Sequence, residues 1–243
     1  MARSSSNPNS SDPQGDPTVW ASRIGLTEVA LLASGHLVLF LVLGFVGLQV
    51  VGGHGVIGSI ALQAAIQVAM IWAVLVYGRG LSWTEIGFRP MPPGWGIRAP
   101  LIGVGMILVV APINLLVQSL LGAPQANPQV TAIQPTGDTP MMMATTMALT
   151  AVVVPAIEEV IFRGVLYRWL RRFSSMGVAI ALSALLFGSV HGITHLIPAL
   201  AVLGAVLAWT YERTGSLWAP IVIHGIFNAI MMLLLYGVLA AGP

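Results

Sequence analysis

Cysteine is absent from this chain of 243 residues, and so is lysine. Without cysteine there is no disulfide, no thiolate nucleophile and no thiolate metal ligand, and the redox compartment is left undetermined. Charge of either sign is scarce: charged residues make up 7% of the chain and hydrophobic residues 56%, whereas soluble domains carry about 25% charge. Mean hydropathy is +0.88. These values exclude the soluble globular class and point to an all-α, polytopic membrane bundle. The missing lysine, beside abundant Ala, Gly, Val and Arg, fits a GC-rich bacterial genome and hence a bacterial plasma membrane.

Apolar runs of spanning length, about 20 residues each, occur near 26–51, 57–77, 99–122, 141–166, 177–193, 196–210 and 216–238. Seven spans is the expectation, with six and eight as its bounds, because the fifth and sixth are short and interrupted by Gly192 and Pro198. Short cytoplasmic loops retain positive charge. An N-terminus inside puts Arg3, Arg23, Arg79, Arg89, Arg98, Arg168, Arg171, Arg172 and Arg213 on one side of the membrane and leaves only Arg163 within a span. Trp20, Trp72, Trp83, Trp95, Trp169, Trp209 and Trp218 fall at the same ends, where indoles favour the headgroup region. Since topology accounts for the arginines, the net charge of +2 gives no support to nucleic acid binding.

Residues 1–19 are polar and Pro-rich and read as a disordered cytoplasmic tail. N-terminal transmembrane helices and loops are expected over 20–140, including a cytoplasmic loop at 78–98 and an external one at 123–140. The polar residues that carry chemistry fall within 141–238. No internal repeat suggests a transporter built from inverted halves.

Those polar residues form clusters. Glu158 and Glu159 sit in the middle of a membrane-length apolar run, with Arg163 one turn on, and ionisable groups at such depth usually face an internal cavity. Phe187 and His191 follow, then His195, then His224 and Asn228. At 1.5 Å per residue, Glu158 and His191 each lie about 21 Å from the arginine end of their segments, and His224 and Asn228 about 12 and 18 Å from Ser216. One slab of the bilayer can therefore hold them all.

Glu159 and Arg163, four apart, share a helix face, whereas Glu158 points about 100° away. Arg163 is expected to pair with Glu159, leaving Glu158 without a cation of its own, as a general base requires. A kink is expected just before the glutamates, where Pro155 cannot donate its backbone bond. Phe187 reads as a wall packed over the His191 imidazole. The blander alternatives are a structural ion pair at Glu159 and Arg163, a core histidine at His191 and interhelical glue at Asn228. His195 reads as structural or interfacial, and His36 and His54 as ordinary. Gln63 with Gln67 and Asn114 with Gln118 read as helix glue, and Met141 to Met143 as lipid-facing filler. Ser189, two residues from His191, faces another way.

Glu158-Glu159-x-x-x-Arg163, Phe187-x-x-x-His191 and His224-x-x-x-Asn228, in that order on successive apolar segments, resemble the CPBP/Abi family of intramembrane glutamic proteases. That family includes the CAAX prenyl endoproteases and bacteriocin-processing proteins. The resemblance covers roughly 151–236, with a fainter likeness at Leu81 to Arg89. It implies an endopeptidase acting on a membrane-associated peptide or protein, a lipidated CAAX tail being one option. Glu158 with His191 would activate a water, His224 and Asn228 would receive the oxyanion, and Glu159, Arg163 and Phe187 would support them. It implies no cofactor. A zinc alternative rests on Glu158, His191, His195 and His224, since His191 and His195 have the i, i+4 spacing of helical zinc sites. Two non-enzymatic functions compete: a membrane immunity or scaffold protein that binds a peptide in the same cavity, and an ion or proton transporter relaying through Glu158 and Glu159.

Overall fold

A computed structural model describes residues 23–49, 52–122 and 140–241. The tail 1–19, most of the predicted external loop and residues 50–51 lie outside the described residues. Helix α1 is Leu26–Gln49, and α2 is Gly52–Ile71, continued by a π-helical segment Trp72–Gly78. A single turn, α3, covers Trp83–Ile86, and α4 covers Trp95–Leu120. Helix α5 runs unbroken over Pro140–Arg171. Helix α6 is Met176–Ser189, α7 is Thr194–Thr214 and α8 is Trp218–Ala241. Among the described residues there is no strand.

Among the described residues five helices are long and apolar enough to cross a membrane, namely Ile57–Gly78, α4, α5, α7 and Trp218–Gly237 of α8, while Leu26–Val42 and α6 are shorter apolar stretches. Large hydrophobic side chains such as Leu62, Leu108, Leu120, Met141, Val152 and Leu233 stand on the outside of the bundle, where lipid is their solvent. The chain is an integral, multi-pass membrane protein.

The apolar run 177–193 is helical to Ser189, and Gly192, expected to interrupt it, takes a left-handed φ of 68° that turns the chain toward α7. Helical hydrogen bonding continues through Pro155 in α5. The helix absorbs it by widening, with π-helical turns at Leu149–Val153 and Val160–Tyr167 on either side of the glutamate pair. Such turns lengthen the backbone hydrogen-bond repeat by one residue and recur at functional sites.

The arginines gather at one end of the bundle and tie the loop between α2 and α4 onto the helix ends. Arg79 pairs with Glu28 at 2.6 Å and Arg23 with Glu85 at 3.2 Å. Arg168 donates to the carbonyls of Glu85 and Ile86, Arg172 to that of Ile24, and Arg171 to the Glu212 carboxylate. A capping box on Ser82 and Glu85 starts α3. Ser82 donors hold the exposed Glu85 carboxyl below the usual carboxylate range, with Arg23 adding to the effect. An aromatic band, Trp83 on Phe88 on Trp218 and Trp95 beside Trp209, lies at this end too.

Elsewhere small residues set the helix spacing, as is common where lipid gives no hydrophobic drive between helices. A Cβ on Gly188 of α6 would stand 2.9 Å from the Ile197 carbonyl oxygen of α7, and one on Gly204 would stand 3.1 Å from the Ala184 Cα. Gly188→Ala is expected to destabilise the bundle by about 1–3 kcal/mol through overpacking. Gly105→Ala, with nothing within 4 Å of its Cβ, is expected to be neutral or stabilising by up to about 1 kcal/mol. Unfolding of both variants in denaturing detergent checks the contrast.

Candidate functional site

Arg163 is a fully buried charge within α5. Its side chain and that of Glu159 are both 0% exposed, 3.0 Å apart along one face of α5. The guanidinium also donates to the Gly204 carbonyl of α7 at 2.8 Å and lies over the Phe187 ring of α6, 4.7 Å from its centroid. One side chain thus engages three helices. The expected pairing of Arg163 with Glu159 is present.

His224, on α8, stands between the two glutamates. Its Nδ1 lies 3.0 Å from Glu159 Oε1 and its Nε2 lies 3.7 Å from Glu158 Oε2. A carboxylate can only accept, so Nδ1 carries the hydrogen of that bond. Phe187 packs edge-to-face against both imidazoles, 5.1 Å from His191 and 5.6 Å from His224. His191 Nδ1 lies 2.8 Å from the Phe187 carbonyl oxygen. A carbonyl also only accepts, so Nδ1 donates, and in the neutral ring the lone pair is on Nε2.

Two carboxylates, one guanidinium and the imidazole of His224 thus share one apolar interior, with His224 in reach of both carboxylates. Glu158 is 7% exposed and His191 is half-buried, so the open side of the cluster is theirs. No hydrogen bond joins these two directly among the described residues.

Of the sequence candidates, Glu158, Glu159, Arg163, Phe187, His191 and His224 converge. Asn228, one turn beyond His224, donates through Nδ2 to the Thr150 carbonyl of α5 at 3.0 Å. His195 is buried in the turn Thr194–Leu196 that opens α7. The i, i+4 spacing with His191 therefore does not place the two on one helix, because α6 has ended by Ser189. Among the described residues no group of three or more His, Cys, Asp or Glu is arranged to hold a metal ion.

The site also includes a pair that the sequence gave no reason to choose. His36 of α1 and Gln67 of α2 are each 4% exposed, with His36 Nδ1 lying 2.8 Å from Gln67 Nε2. The amide nitrogen can only donate, so His36 accepts at Nδ1 and carries its own hydrogen on Nε2. Its ring meets Phe162 edge-on, with centroids 5.9 Å apart, and lies within electrostatic range of both Glu158 and His191. Gln67 is glue, as expected, but the histidine it holds forms part of the site wall. A lone histidine with a glutamine 31 positions on has no spacing that would announce the pair.

The same segment that carries the cluster is matched by a known family. Residues 140–230 match the family described as type II CAAX prenyl endopeptidase Rce1-like. That match covers the C-terminal part of the chain, where it is similar to the CAAX prenyl endopeptidases. A Bacillus subtilis (strain 168) protein described as "Putative membrane peptidase YdiL" is 31% identical over 87 residues, an alignment that spans 35% of this chain and 35% of that relative. No solved structure matches. The Rce1-like segment includes α5, α6, α7 and most of α8 and so contains every member of the cluster, while His36 and Gln67 lie outside it.

Removing one member of a buried ion pair leaves the other charge uncompensated, at a cost of about 3–5 kcal/mol. Arg163→Leu is expected to lose about that much stability in detergent unfolding, and Arg163→Leu with Glu159→Leu to lose less than the single change.

Proposed function

We propose that the protein is an intramembrane endopeptidase that hydrolyses a peptide bond of a membrane-associated substrate with a glutamate-activated water. The observation that carries this reading is the division of labour between adjacent glutamates. Glu159 Oε1 takes both Arg163 and His224, whereas among the described residues Glu158 has no arginine partner and meets only the His224 Nε2, at 3.7 Å. A structural ion pair has no use for a second carboxylate. The Rce1-like match over 140–230 and the membrane peptidase description of the Bacillus relative favour the same conclusion.

In the proposed reaction a water lies between Glu158 and the Nε2 of His191. Glu158 takes its proton as the water oxygen bonds to the scissile carbonyl carbon, and the carbonyl oxygen becomes an oxyanion. His224 and the second N–H of Asn228 receive that charge, four residues apart on one helix face. The tetrahedral intermediate collapses with cleavage of the C–N bond, and the proton on Glu158 passes to the leaving amine. Phe187 and Arg163 hold the two imidazoles and Glu159 in register. No metal takes part. In this reading the catalytic core is 141–238 and the helices of 20–140 enclose it.

The substrate is a peptide or protein carried by the membrane, and a prenylated CAAX tail is the first to try because of the family's name. The test is cleavage of prenylated and unmodified peptides by purified wild type and by Glu158→Gln. Wild-type cleavage with a loss of at least about 100-fold in the folded variant is expected, the scale of a missing general base. Equal cleavage by both would overturn the assignment of Glu158. No cleavage by either across the panel would favour a peptide-binding immunity or scaffold protein.

Metal dependence has its own check. Activity is expected to survive chelation, and metal analysis to find no stoichiometric zinc. Zinc lost together with activity would overturn the metal-free form.

A further inference from the structure

The Asn228 amide makes a contact that the peptidase reaction does not use. In the π-helical turn of α5 the Val154 N–H closes the Leu149 carbonyl, five residues back. The next bond of that series would run from residue 155 to the Thr150 carbonyl. Residue 155 is proline and has no N–H. The Thr150 carbonyl is thereby left without its helical donor inside an apolar bundle, where an unmet backbone acceptor is costly. Asn228 Nδ2, from α8, donates to it at 3.0 Å.

The approach of α8 depends on Gly225. A Cβ at that position would stand 2.5 Å from the Ala151 carbonyl oxygen, so any larger residue would push α8 away from the turn. An amide nitrogen has two hydrogens. With one committed to Thr150, the side chain can no longer rotate, and the other points in a fixed direction on the helix face it shares with His224.

We propose that Pro155 is a positioning residue for the reaction: by withholding one backbone donor it commits the Thr150 carbonyl to Asn228, fixing the Asn228 amide and locking the glutamate helix to α8. The catalytic consequence rests on the peptidase reading, while the hydrogen-bond exchange stands without it.

The experiment is a double-mutant cycle on Pro155→Ala and Asn228→Ala in the full-length, detergent-solubilised protein, read by unfolding and by kinetics. Asn228→Ala is expected to lower the folding equilibrium constant about tenfold with proline at 155, the scale of a buried acceptor left unmet. With alanine at 155 the new backbone N–H takes over the Thr150 carbonyl, and the cost of Asn228→Ala falls below about twofold. Additive costs would overturn the proposal. Should Asn228→Ala fail to fold, Asn228→Leu, similar in size and without a donor, supplies the same arm.

With a farnesylated CAAX peptide, Pro155→Ala is expected to lower kcat about 10- to 100-fold, the scale of a misplaced group, with KM nearly unchanged. Adding Asn228→Ala should cost little more. Unchanged kcat, or a loss confined to KM, would overturn the positioning role. A wild type that cleaves no peptide would instead sink the peptidase reading and leave the unfolding cycle to decide the exchange.

Discussion

A guanidinium with no access to water is the constraint on which the rest of this bundle depends. Arg163 cannot be deprotonated at any ordinary pH, so an apolar interior tolerates it only if surrounding groups meet its charge. Glu159 supplies the anion, Gly204 a carbonyl and Phe187 a π face. These partners come from three helices, and each is fixed by something else. Gly204 leaves room for α6 to approach α7 closely, a Cβ there standing 3.1 Å from the Ala184 Cα. Phe187 must be fully buried to lie against the cation and both imidazoles. Glu159 must share a helix face with Arg163. A charge that is costly to bury therefore selects one arrangement of α5, α6 and α7 among the many that apolar packing alone would accept.

That arrangement in turn places the second carboxylate. With Glu159 Oε1 committed to Arg163, the imidazole of His224 is the group that also reaches Glu158, its Nε2 3.7 Å from Oε2. An imidazole has nitrogens on two edges of its ring. It can therefore face two carboxylates that diverge by about 100° around a helix, which a lysine or an arginine at the same place would do less symmetrically. Adjacent glutamates look redundant in a sequence. In the bundle they straddle one ring, with one inside and closed and the other toward the open side.

Much of this was legible before the fold was known, and the reason is solvent. In lipid a polar side chain has few innocent uses, so Glu158, Glu159, Arg163, His191 and His224 declared themselves by standing in apolar runs, and the all-helical class followed from hydropathy. What failed to be legible depended on backbone detail or on pairing across distant segments. The i, i+4 relation of His191 and His195 presupposed a helix that Gly192 ends. The π-helical turns that flank Val154–Glu159 have no signature in the sequence beyond Pro155 itself. His36 and Gln67 come from different helices, and neither has a neighbour in sequence that signals the other.

The π-helical turns also connect local chemistry to the shape of the site. Each inserts an extra residue into the hydrogen-bond repeat, which rotates everything after it relative to a regular helix. Two such turns flank Val154–Glu159, so the segment with both glutamates is a short α-helical stretch whose rotation is set independently of either end of α5. The widened backbone leaves carbonyls that need donors, and in this bundle a donor must come from another helix. Local strain in α5 is thus relieved by contact with α8, the helix that supplies His224. Proline, usually a helix breaker, serves here to make one helix dependent on another, and the catalytic geometry proposed for this protein is a property of that dependence.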